Sequence, residues 1–156
     1  MIRNLSIELV RDLLTKAGIA VVQDKDGRFL TVLKAKKQFN HDVVIRYILR
    51  GECLLMVGQA SAYDVPVECR NDVILALNIH NMRRHTCAGA LHDNTIMFKH
   101  SMLVDEDVSE EHILDNWVKA GTEGIWNAFV EFEKNSKDDE GHYKRYTLPV
   151  LGRDWI

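Results

Sequence analysis

The chain has 156 residues, of which 46% are hydrophobic and 28% charged, and its formal net charge is −3. This length and composition are typical of one folded domain and exclude a chain that is disordered in bulk. Basic residues cluster at Lys34, Lys36 and Lys37 and at Arg83 and Arg84. Because nucleic-acid binding needs a broader basic face, we expect no nucleic-acid partner.

The three cysteines, Cys53, Cys69 and Cys87, are far apart and form no CxxC pair, so neither a disulfide nor a zinc site is expected. The N-terminal residues lack the apolar block of a signal peptide, and no apolar run approaches membrane-spanning length. These features predict a soluble cytoplasmic protein in a reducing compartment, without a membrane partner.

The chain begins with a predicted helix over residues 6–17, for which Ser6 is the N-cap. Asp26-Gly27 then predicts a tight turn between strands at 19–24 and 28–34.

A polar connection at 35–41 leads to the clearest pair of strands, at 42–50 and 53–61. Gly51-Glu52 predicts a two-residue turn between them, which fixes the pairing and points four residues toward the core. The predicted pairs are Leu49 with Leu54 and Tyr47 with Met56.

The other face of this hairpin carries Val44, Ile48, Leu55 and Val57. It is more apolar than a sheet face in contact with water should be. Two kinds of explanation are equally favoured. In the first, a second layer of the same chain covers this face or the true register differs by a residue; in the second, another subunit or a partner protein covers it. We treat these four residues as a candidate partner surface.

Residues 63–81 predict a central helix, with Pro66 in its first helical position. Its apolar stripe is Val73, Ile74, Leu77 and Met82. Asn78 and Asn81 lie three residues apart and share a face. We interpret them as a structural polar pair whose amides satisfy nearby backbone groups, in preference to a ligand-binding pair.

A second hairpin is predicted at 86–91 and 95–104, with His100 on its apolar face as a hydrogen-bonded core residue. A long final helix begins after the N-cap Ser109. Its buried stripe is Leu114, Trp117, Val118, Gly121, Ile125, Ala128, Phe129 and Phe132. Gly121 and Gly124 predict a kink or a close approach to the sheet in the middle of this helix. Trp126 lies off the stripe and is a candidate interface residue, although packing on its own neighbours is favoured.

These elements predict the α+β class, with an antiparallel sheet packed by helices in the order helix, four strands, helix, two strands, helix. Residues 1–134 form the predicted domain, and residues 135–156 form a C-terminal tail rich enough in large apolar side chains to dock on the domain or on a second subunit.

The sequence contains no Walker loop, GxGxxG, HExxH or GxSxG motif, and its seven histidines are scattered. We therefore predict no catalytic residue, no cofactor-binding residue and no metal ligand, and we expect the protein not to be an enzyme.

Several segments resemble the YbjN family of bacterial sensory-transduction regulators, which is similar in fold to the type III secretion chaperones. They are residues 65–68 (VPVE), 77–81 (LNIHN), 87–91 (CAGAL), 96–100 (IMFKH) and 109–113 (SEEHI), within a likeness that covers residues 5–134. The resemblance implies an α+β domain without known enzymatic activity that works by binding proteins, often as a homodimer.

Our first hypothesis is a non-enzymatic protein-binding module, a chaperone-like or regulatory adaptor that forms a homodimer and has a further protein partner of unknown identity. The alternative is a small-ligand-binding protein or an uncharacterised enzyme, with a pocket between the central helix and the sheet. Asn78, His80, Asn81 and His100 would line that pocket.

Overall fold

The computed structural model describes residues 5–83, 87–104 and 108–146. Within these ranges a helix, four strands, a second helix, two strands and a third helix follow one another. The predicted α+β class, the antiparallel sheet and this order of elements are confirmed.

The six strands of the described residues form one antiparallel sheet in the order β1-β2-β3-β4-β6-β5. They are β1 (Val22–Gln23), β2 (Phe29–Leu33), β3 (Val43–Arg50), β4 (Cys53–Asp64), β5 (Ala88–His92) and β6 (Thr95–Leu103). Strand β6 pairs with β4, so the second hairpin extends the sheet of the first.

The helices are α1 (Ile7–Lys16), α2 (Arg70–Arg83) and α3, which runs without a break from Glu110 to Ser136. Helix α3 contains an α-turn (Glu110–His112), a π-helical segment (Ile113–Lys119) and a regular α-helix (Ala120–Ser136). All three helices contribute buried side chains to one core, which lies against a single face of the sheet.

The central hairpin has the predicted register. Leu49 pairs with Leu54 and Tyr47 with Met56, and Gly51 adopts the positive φ of 57° that the two-residue turn requires. Because side chains alternate between the two faces of a strand, this register sends Val43, Ile45 and Tyr47 into the core.

Two predictions near the start of the sheet need correction. Strand β1 is shorter than residues 19–24, because the Thr31 hydroxyl donates to the Ala20 carbonyl (3.1 Å) where a longer strand would have a ladder bond. The connection at 35–41 is not wholly polar, since Phe39 is only 2% exposed. The Phe39 ring packs against Tyr63 and Phe129, two residues remote in sequence.

The central helix starts later than predicted. Tyr63 belongs to β4, and the chain stays extended through Val65, whose N–H donates to the Asn94 carbonyl at 2.8 Å. Pro66 is not helical; it precedes a 3₁₀ turn (Val67–Cys69) that leads into α2. The amide of Val65 therefore continues the pairing of β4 with the second hairpin beyond the point where local signals indicate a helix.

The predicted stripe of α2 is half wrong. Val73 and Leu77 are buried, but Ile74 is 37% exposed and Met82 is 52% exposed. The buried positions are instead Val73, Ala76, Leu77, Ile79 and His80. Helix α2 packs against both β5 and α3. Because it contacts two neighbours, its buried side is wider than the predicted apolar stripe and faces another direction.

Helix α3 is as predicted at its start and along its buried stripe, except that Leu114 is only half-buried. The Ser109 hydroxyl accepts from the His112 N–H at 3.1 Å, and the flanking Val108 and Ile113 are both buried. A Cβ at Gly121 would lie 2.5 Å from the Met56 sulfur and 2.8 Å from His100 Cδ2, so the helix approaches the sheet closely there. His100 Nε2 lies 3.4 Å from the Asn116 carbonyl in the π-helical segment.

The segment that follows α3, residues 137–146, which we call the strap, folds back on the helices. The Lys144 N–H donates to the Ser136 carbonyl at 2.8 Å, and Lys137 pairs with Tyr143 in an isolated β-bridge. Lys137 Nζ lies 2.9 Å from Glu133 Oε1 and 5.0 and 4.9 Å from the ring centres of Tyr63 and Tyr143. Residues 147–156, the rest of the predicted tail, lie outside the described ranges.

Candidate functional site

The surface of greatest interest is the face of the sheet opposite the helices, which we call the open face. Val44, Ile48, Leu55 and Val57 all lie on it, and each is half-buried. The register pairs Ile48 directly with Leu55, so these side chains are neighbours across the two central strands. No helix or strand of the described residues packs over them, because the three helices all lie on the other face.

The pairing of β2 and β6 with the central hairpin makes the open face larger than predicted. Val32 lies beside Val44, Met97 lies beside Gln59, and Leu103 lies beside Cys53. Val32 is 38% exposed and Leu103 is 81% exposed, so apolar surface continues toward both sides. Sequence reasoning missed these residues because the neighbours of the central hairpin are not evident from local patterns.

The charged side chains in the middle of the open face are basic. Arg46, Arg50 and Lys99 occupy open-face positions of β3 and β6, and no carboxylate does so between Val43 and Arg50, Cys53 and Gln59, or Met97 and Leu103. The Arg46 guanidinium donates to Gln59 Oε1 at 3.3 Å, while its Nε is buried without a partner in the described part of the chain.

Two carboxylates at the edge of the open face are held by turns. Asp24 accepts from the N–H groups of Asp26 and Arg28, and Asp42 accepts from the Ala35 N–H at 2.8 Å. These backbone hydrogen bonds hold the pKa of each carboxyl below its ordinary value. Both carboxylates stay ionised, and Asp24 interacts electrostatically with Arg46, whereas Arg50 and Lys99 have no described ion pair.

Trp126 is not part of the open face. It lies in α3, on the opposite side of the sheet, with its ring edge-on to Phe39 at 6.0 Å and Lys36 Nζ 5.3 Å above it. The structure therefore separates Trp126 from the other four candidate residues.

The two asparagines of α2 have different surroundings. Asn81 Nδ2 donates to the Gly89 carbonyl at 2.9 Å, and the Gly89 N–H donates to Asn81 Oδ1 at 2.7 Å. Asn78 is exposed. Gly89 lies in β5, the edge strand of the sheet, so the Asn81 amide occupies backbone groups that could otherwise pair with another strand.

The four residues named for a ligand pocket between the central helix and the sheet do not converge. The His80 ring packs against Phe98 and Phe132, at 5.0 and 6.3 Å, whereas Asn81 bonds the edge strand. His100 lies beside Gly121 under α3. Across residues 5–83, 87–104 and 108–146, no group of three or more His, Cys, Asp or Glu side chains is arranged to hold a metal ion.

A pocket of another kind lies beside the strap and is lined by Tyr63 and Lys137, among others. The Tyr63 hydroxyl donates to Glu133 Oε2. Burial, and then this bond to a carboxylate, raise the pKa of Tyr63 far above its ordinary value, and burial also raises the pKa of Tyr143. The two tyrosines are therefore neutral and hold the strap in place.

Together these observations define a class of protein: an α+β domain whose antiparallel sheet is packed by helices on one face and presents an apolar, basic-centred second face. No helix of the described residues is long and apolar enough to cross a membrane.

The chain belongs to the YbjN family, whose model, described as "Putative bacterial sensory transduction regulator", matches residues 6–123. Membership supports a regulatory or binding role. Among curated proteins, none matches the sequence significantly.

Two solved structures match this chain. The crystal structure of YbjN from E. coli, described as "a putative transcription regulator", is 15% identical with a TM-score of 0.64, and the match covers 81% of this chain and 90% of that chain. An uncharacterized protein from Methanothermobacter thermautotrophicus is 17% identical with a TM-score of 0.42, over 82% of this chain and 99% of that one. The first likeness agrees with the α+β architecture described above.

Proposed function

We propose that this protein is a non-enzymatic regulator that acts by binding another protein on its open face. The observation that carries the proposal is the apolar surface around Ile48 and Leu55, which no described helix covers. An apolar patch of this kind is typical of an interaction surface. A chaperone-like or adaptor role would use the same contact, because in each case the domain holds a segment of another polypeptide.

The charges of the open face favour a particular kind of partner. Arg46, Arg50 and Lys99 stand among apolar side chains, so a segment with both apolar and acidic residues complements the surface. Docking would use side chains and not strand addition. Asn81 occupies the β5 edge, and the opposite edge strand, β1, is two residues long.

A homodimer through the same face is the second arrangement we consider, because one flat apolar face can pack on its own copy. The two arrangements respond oppositely to salt. Added salt weakens an acidic partner's attraction to the three cations, but it screens the repulsion between the like charges of two identical faces.

The test compares the wild type with the double variant I48K/L55K. Both positions are half-buried, so the variant is expected to fold and to lose binding. The control is I74K, which places lysine at an isoleucine on α2 that is 37% exposed and lies away from the open face.

Sedimentation at low micromolar concentration, at low and high salt, measures self-association. Co-purification from the native cell with the three proteins as baits then identifies a partner retained by the wild type and I74K. The proposal predicts that I48K/L55K loses the partner, the dimer or both. The proposal is wrong if I48K/L55K dimerises and retains the partner as the wild type does. It is also wrong if the wild type is monomeric and co-purifies with no protein that is absent from I48K/L55K.

A further inference from the structure

A cleft of about 350 Å³ lies where the last turn of α2 meets the end of α3 and the strap. Its lining includes the cations Arg83, Lys144 and Arg145, and none of its lining residues carries a carboxylate. The C-termini of both helices contribute about half a negative charge each, which Lys144 and Arg145 by themselves exceed. The cleft therefore has a net positive character.

A second, independent feature of the cleft is an unused hydroxyl. Ser136 lines the cleft and is 2% exposed, yet its Oγ has no hydrogen-bond partner in the described part of the chain. Buried polar groups are nearly always paired, so this hydroxyl leaves a hydrogen bond for a molecule in the cleft, either a water or a ligand.

The strap positions two of the cations before any ligand arrives. The bond from the Lys144 N–H to the Ser136 carbonyl anchors the strap at the cleft, and the Lys137 contacts with Tyr63 and Tyr143 anchor it on the other side. Lys144 and Arg145 form no ion pair with the described carboxylates, so their charges are available to an anion. Ile79 and Phe132, which are 8% and 2% exposed, form part of the wall of the same cleft.

We propose that this cleft binds a small organic phosphate. A phosphate dianion matches several cations better than a singly charged carboxylate does, and its oxygens accept from the Ser136 hydroxyl and the Asn135 amide. The apolar body of the ligand would contact Ile79 and Phe132. This site is independent of the open face, which lies on the other side of the sheet.

The experiment titrates the intact protein with phenyl phosphate, inorganic phosphate and benzoate at constant ionic strength, by calorimetry. Phenyl phosphate is expected to bind saturably and more tightly than the other two, because it alone has both a dianionic group and an apolar body. The double variant K144Q/R145Q is expected to weaken phenyl phosphate binding by about tenfold or more, since two charge-assisted contacts are lost. The matched control K25Q/K119Q removes two exposed lysines that do not line the cleft and is expected to bind as the wild type does.

The variant S136A tests whether the Ser136 hydroxyl binds the ligand or stabilises the fold. Because the hydroxyl has no partner in the protein, its removal is expected to leave the melting temperature unchanged or higher while it weakens phenyl phosphate binding. The proposal is overturned if no saturable binding occurs up to about 10 mM phenyl phosphate, because a dissociation constant above that concentration is too weak for a specific site. It is also overturned if both double variants weaken binding equally, or if S136A lowers the melting temperature without a change in affinity.

Discussion

At the scale of single residues, the most informative contact is the pair of hydrogen bonds between the Asn81 amide and the backbone of Gly89. An amide side chain presents a donor and an acceptor side by side, as a peptide group of a neighbouring strand does. Asn81 therefore ends the sheet at β5 by substituting for the next strand, and it ties α2 to that edge.

The substitution N81A is expected to lower the free energy of unfolding by about 1–3 kcal/mol, because two hydrogen bonds are lost and Gly89 is partly shielded from water. The control N78A, an exposed position on the same helix with the same change in helix propensity, is expected to alter stability by less than about 0.5 kcal/mol. Urea unfolding measures both. Equal effects of the two substitutions would contradict the role assigned to Asn81.

Tyr63 carries a pH-dependent prediction. Its folded-state pKa lies above the ordinary value of 10.0, so its contribution to stability is complete below pH 10 and is lost as the pH rises beyond it. The substitution Y63F is expected to cost about 1–3 kcal/mol at pH 7, where a hydrogen bond to a carboxylate is lost. Urea unfolding should show the difference between wild type and variant shrinking above pH 10. A difference that is constant or grows with pH would show that Tyr63 does not act as described.

At the scale of elements, α3 is shaped by its contact with the sheet. The π-helical segment Ile113–Lys119 ends two residues before Gly121, where the helix lies against Met56 and His100. π-Helical turns are uncommon and occur where a helix must change the direction of its axis or the side that it turns toward its neighbour. Here the adjustment coincides with the burial of Trp117 and Val118 and with a close approach of helix and strand.

The substitution G121A tests this contact, because the new methyl group would overlap Met56 and His100. Overpacking of a core costs about 1–3 kcal/mol, whereas Gly to Ala within a helix gains up to about 1 kcal/mol, so a net loss of about 1–2 kcal/mol is expected. Chemical denaturation of G121A and of the exposed-site control N127A measures the difference. A stabilised G121A would mean that the helix does not lie as close to the sheet as described.

At the scale of the whole molecule, the sheet has a strong centre and weak edges. Strand β4 is paired along most of its length with β3 on one side and β6 on the other, while β1 pairs through two residues with β2 alone. Local opening is expected to be most costly where a strand has two partners.

Amide hydrogen exchange, measured by mass spectrometry of peptides, is expected to be slowest in β4 and fastest in β1. Burial is expected to increase this difference in exchange rate, because β1 is exposed while alternate residues of β4 lie in the core. Uniform protection across the sheet, or β1 protected as well as β4, would contradict this view of how stability is distributed.

Much of the fold is present in local sequence patterns. The alternation along β3 and β4 and the Gly51-Glu52 turn were enough to predict which residues pair and which face the core. Ser109 and its neighbours predicted the start of α3, and its stripe predicted the buried side. Turn chemistry, caps and period depend on neighbours in sequence, which is why such features can be read without a structure.

The candidate site depended on the tertiary structure. Sequence patterns identified Val44, Ile48, Leu55 and Val57 as an apolar face but left open whether another layer of the chain covers it. The burial of Phe39, the facing of α2, the extension of the open face to Met97 and Leu103, and the cation-lined cleft beside the strap were not predicted.

The sequence by itself determined the class of fold, the order of its elements and the register of its central hairpin, because each follows from local periodicity and turn residues. Only the tertiary structure decided that all three described helices pack on one face, that β6 joins β4, and that the strap meets the ends of α2 and α3. These features arise from contacts between residues far apart in sequence, and no local pattern specifies which remote partners meet.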